Sequence, residues 1–70
     1  MNAYDEQLER VASLTYRYAS DLISKRNFIM AMGLIKYDID NSNLGFTDEG
    51  KELSHAISRA VFSEINEVNA

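Results

Sequence analysis

Gly33-Leu34-Ile35-Lys36-Tyr37-Asp38-Ile39-Asp40-Asn41-Ser42-Asn43-Leu44-Gly45-Phe46-Thr47 is the stretch whose reading decides the fold. Ile35, Tyr37 and Ile39 alternate with Lys36, Asp38 and Asp40, the period of two expected of a strand with one wet face. Asp40-Asn41-Ser42-Asn43 is a run of turn residues, each able to bond its own backbone or to tolerate positive φ. Leu44-Gly45-Phe46 then reads as a short returning strand. The stretch 34–47 is thus expected to form an antiparallel β-hairpin, with Gly33 ending the helix before it. Phe46 is expected to turn inward against Leu34, Ile35 or the following helix. Thr47 is expected to cap that helix, whose first turn carries Asp48 and Glu49.

Upstream, the period is helical. Tyr4, Leu8, Val11, Thr15, Tyr18 and Leu22 recur at spacings of four and three, with Ala12 and Ala19 widening the stripe. Asn2 is the natural N-cap, Asp5 and Glu6 suit the positive end of the dipole, and the spacing predicts a helix over about 3–23. Ser24 can restart a short helix over about 25–32, ending at Gly33. Downstream, Leu53, Ile57, Ala60, Val61, Ile65 and Val68 form the buried stripe of a last helix over about 48–66. Glu64 falls inside that stripe and needs a partner, whereas Phe62 points away from it. The expected architecture is one mainly α domain, 1–70, in the order α-α-β-β-α.

Gly33-Leu34-Ile35, the hairpin, and Phe46-Thr47-Asp48-Glu49-Gly50-Lys51-Glu52-Leu53 together resemble the second half of a winged-helix domain, over about residues 28–53. That resemblance implies a recognition helix opening at Lys25, Arg26 and Asn27, with Lys36 beside it, and DNA as a partner. The wing, however, carries Asp38 and Asp40 where DNA-binding wings carry Arg or Lys.

Composition narrows function by exclusion. The 70 residues contain no cysteine and one histidine, so thiolate metal sites, disulfides and multi-imidazole sites are out. Seven basic against eleven acidic side chains give a net charge of −4, against the basic balance usual for phosphate-backbone binders. The only basic stretch is 11–33, at +2. The polar, acidic N-terminal segment is unlike a secretory leader, and the longest apolar run, Phe28–Ile35, is too short to span a membrane. A cytoplasmic protein is expected, without membrane or small-molecule partners.

Two constellations carry chemistry on paper. Asp38, Asp40, Ser42 and Glu49 fit positions 1, 3, 5 and 12 of a calcium loop, but Asn43 stands where that loop needs glycine and Gly45 where it needs a β-branched residue. An ordinary polar turn is the better reading. Ser54, Ser58, His55 and Glu52 lie close on the last helix, yet nucleophilic catalysis needs an oriented base and a pocket that so small a chain hardly affords. No catalytic, cofactor-binding or metal-binding residue is assigned.

A chain of this size is marginally stable alone. The expected function is therefore a non-enzymatic protein-interaction module: a regulatory adaptor or inhibitor, of the kind mobile elements such as phages encode. It would act as a homodimer or docked on a larger protein, through Leu8, Val11, Tyr16, Leu22, Ile57, Val61 and Phe62. The alternative is a winged-helix DNA-binding transcriptional regulator using Lys25, Arg26, Asn27 and Lys36.

Overall fold

A computed structural model describes residues 2–69, with side chains described through residue 66. Its elements are α1 (Ala3–Ala19), α2 (Lys25–Asp40), a 3-10 turn η1 (Asn43–Phe46) and α3 (Asp48–Asn69). No strand occurs among the described residues. The expected hairpin is therefore absent, and with it the wing of the winged-helix resemblance. α2 is the central element, packed on both α1 and α3, while α1 and α3 touch each other more sparingly.

The hairpin fails because its evidence was shared with a helix. Phe28, Met32, Ile35 and Ile39 are all buried, at helical spacings of four, three and four. Ile35 and Ile39 satisfy a period of two and a period of 3.6 alike. Tyr37 separates the two readings: a strand would turn it inward with the isoleucines, and it is 65% exposed. Gly33 does not end the helix; its φ is not positive, and α2 runs through it. A glycine within a helix costs roughly 1 kcal/mol relative to alanine, which the buried stripe on either side offsets.

Leu44 packs at the margin of the core, but Phe46 turns outward and is 84% exposed, against the inward packing expected of it. The core consists of Phe28, Met32, Ile35 and Ile39 from α2 with Leu53 and Ile57 from α3. α1 contributes no fully buried residue. Its inner stripe is Tyr4, Val11, Leu14 and Tyr18, whereas Leu8 and Thr15 are exposed, so the helix is rotated from the orientation expected. Val68, expected in the α3 stripe, lies outside the residues whose side chains are described.

α1 also stops four residues early. Asp21 adopts φ 59°, Asp21 N–H donates to Tyr18 O, and Leu22 N–H donates to Arg17 O. This is a Schellman ending with aspartate in the left-handed position usually held by glycine.

The caps follow local chemistry. Asn2 Oδ1 accepts from Asp5 N–H (2.8 Å), Ser24 Oγ from Asn27 N–H (3.1 Å) and Thr47 Oγ1 from Gly50 N–H (2.9 Å). Thr47 also donates to Leu44 O (2.9 Å), tying η1 to the start of α3. Losing a cap of this kind costs about 1 kcal/mol. Thr47→Ala is therefore expected to lower the melting temperature by about 4–8 °C, measured by circular dichroism.

Candidate functional site

The residues expected at a partner interface divide between inside and outside. Leu8, Tyr16, Leu22 and Phe62 are exposed, on α1, the turn after it and α3. Ile57 is 1% exposed and Val61 and Val11 pack against the core, where they hold the helices of this chain together. The helical period identifies such residues as apolar stripe but does not say which face of the stripe meets α2.

The basic set is scattered in a similar way. Lys25 Nζ lies 3.7 Å from Glu64 Oε2, which also accepts a 2.6 Å hydrogen bond from the Tyr18 hydroxyl. The Tyr18 ring in turn stacks on Phe28, with centroids 4.4 Å apart. These contacts supply the partner that Glu64 needs inside the α3 stripe, and they join the three helices at one end. Arg26 and Asn27 are exposed in the first turn of α2. Lys36 Nζ is 2.6 Å from Asp40 Oδ2, one helical turn away.

Asp40 Oδ1 accepts a 2.7 Å hydrogen bond from Ser54 Oγ, joining α2 to α3. Ser54 is buried and its hydroxyl proton is directed at a carboxylate, an arrangement of a tether rather than of an accessible nucleophile. The Lys36 ammonium first, and the Ser54 hydroxyl second, hold the Asp40 carboxyl below its ordinary value. A carboxyl lowered in the folded state adds stability above its unfolded pKa and loses it as pH falls through the folded one. Ser54→Ala is expected to raise the Asp40 pKa, followed by side-chain carboxyl chemical shifts across an acid titration.

The calcium-loop positions do not converge. Asp38 and Asp40 are helical, Asp38 faces Arg10 of α1 at 4.0 Å, and Ser42 Oγ accepts from Leu44 N–H as the cap of η1. No group of three or more His, Asp or Glu side chains is arranged to hold a metal ion among the described residues.

Two surface features remain. An open groove of about 680 Å³ runs between α1 and α2, lined by Leu14, Ala31 and Ile35, with Leu34 at its edge and Glu6, Arg10, Arg17 and Asp38 around it. Its outer lip is the back of α2, where Met30 and Leu34 are 58% and 67% exposed, in line with Tyr37. Positions 30, 34 and 37 are spaced as one helical stripe, opposite the buried one. The hairpin reading hides that stripe by ending the helix at Gly33; its spacing is legible once α2 is continuous.

No protein-family model, curated protein or solved structure matches the chain at a significant level. The winged-helix resemblance thus has neither its wing nor a family match behind it. Among the described residues no helix is long and apolar enough to cross a membrane.

Proposed function

We propose that this chain is a non-enzymatic protein-interaction module, a small regulatory adaptor or inhibitor working in the cytoplasm as a dimer or docked on a larger protein. One observation carries the reading: nine large apolar side chains stand exposed among the described residues. Single exposed apolar residues are ordinary, but an aligned stripe of them on one helix is the mark of a contact face.

The test combines mass and capture. Sedimentation equilibrium from low to high micromolar concentration reads self-association. Immobilised chain exposed to extract of its host reads docking, with Phe62→Asp and Leu34→Asp variants as controls for the apolar faces. The expected result is a concentration-dependent mass above 8.0 kDa, or a captured protein lost in one of the variants. A monomer throughout that retains nothing sensitive to either substitution overturns the proposal.

A further inference from the structure

We infer that two copies of this chain pair antiparallel along the outer face of α2, with Met30, Gly33, Leu34 and Tyr37 at the contact. The inference rests on the interaction reading and gives it a face and an occupant. A helix packed on its neighbours by one stripe is ordinarily polar on the opposite side. α2 is apolar on both, with Met30, Leu34 and Tyr37 facing away from Phe28, Met32, Ile35 and Ile39.

Gly33 is the second observation. A Cβ built on it meets nothing within 4 Å, so packing inside the chain does not require a glycine there. Flanked by the outer stripe, the missing side chain is a place where a second helix can approach closely.

Charge selects the occupant and its direction. α2 opens with Lys25 and Arg26 and closes with Asp38 and Asp40. Laid antiparallel on itself, the basic end of one copy meets the acidic end of the other; laid parallel, like charges meet. Arg26 is exposed and makes no ion pair among the described residues. A two-fold axis passing between Gly33 and Leu34 sets Met30 opposite the second copy's Tyr37, a favourable thioether–aromatic contact, and does so twice. The same axis brings Arg26 to the acidic last turn of the second helix. This self-complementarity is what an isologous dimer requires.

The test is sedimentation equilibrium of the full chain and four variants, each checked for unchanged helicity by circular dichroism. Wild type is expected to approach twice 8.0 kDa at high micromolar concentration. Leu34→Glu is expected to weaken the dimer about thirtyfold or more, as loss of a central anchor does. Gly33→Gln keeps a good helix former and should weaken it as well by blocking the approach. Arg26→Glu should weaken it, and the Arg26→Glu, Asn41→Arg double variant, which restores opposite charge at the position the axis sets against residue 26, should recover it. A dimer indifferent to Leu34→Glu and Gly33→Gln overturns the α2 pairing while leaving the interaction reading standing on another face. A wild-type monomer at high micromolar concentration overturns the pairing outright; only if host-extract capture also fails does the interaction reading fall with it.

Discussion

Ile39→Ala is expected to lower the melting temperature by roughly 10–20 °C, while Phe46→Ala changes it by no more than a few degrees. Ile39 is 0% exposed, and truncating a buried isoleucine to alanine costs about 2–5 kcal/mol. In a domain this small each kcal/mol moves the midpoint by about 4–8 °C, and only a few kcal/mol are available in total. Phe46 is 84% exposed, and substitutions at such positions stay within about 0.5 kcal/mol. Thermal unfolding followed by circular dichroism reads both. A hairpin would bury Phe46, so a large loss in Phe46→Ala would contradict the helical arrangement.

Gly50→Ala is expected to destabilise by about 2–3 kcal/mol, although alanine is the better helix former by about 1 kcal/mol. Gly50 is buried in the first turn of α3, directly beneath η1. A Cβ there would overlap the Leu44 carbonyl oxygen, lie 2.7 Å from the Leu44 carbonyl carbon and crowd Thr47 Oγ1 at 2.9 Å. Two of those atoms are backbone, and the third is the capping oxygen, so η1 has to move and the cap with it. Gly33→Ala has open space instead, and should stabilise the dilute chain by about 0.5–1 kcal/mol. Urea midpoints measured side by side give the comparison; a Gly50→Ala midpoint at or above wild type would contradict the docking of η1 on α3.

What could be read from the chain was local. Asn2, Ser24 and Thr47 cap where expected because a side-chain oxygen and the third amide after it are neighbours in any helix start. Glu64 needed a partner and has Tyr18 and Lys25. Where two periods overlapped, local reading failed. Ile35 and Ile39 fit strand and helix equally, and the burial of Phe28 and Met32 on the same line, across Gly33, together with the exposure of Tyr37, decides for the helix. Asp21 at positive φ ends α1 without a glycine to announce it. The contact face suffered from the same overlap. Phe62 is legible as lying off its stripe, but Leu8 and Leu22 read as part of the apolar stripe of the first helix and are exposed, Ile57 serves the core, and the hairpin reading hides Leu34 and Tyr37 in a strand. Which side of an apolar stripe is wet depends on how neighbouring helices are rotated, and that is settled by packing among all three.

α2 runs unbroken through Gly33, and that continuity sets Met30, Leu34 and Tyr37 on the face away from the core. Amide-to-Hα nuclear Overhauser contacts across residues 30–40 test it directly. Contacts three residues apart are expected from Met30 to Gly33, Gly33 to Lys36 and Leu34 to Tyr37, with helical carbon shifts throughout. Cross-strand contacts pairing Ile35 or Tyr37 with Leu44 or Phe46, and extended shifts after Gly33, would contradict it.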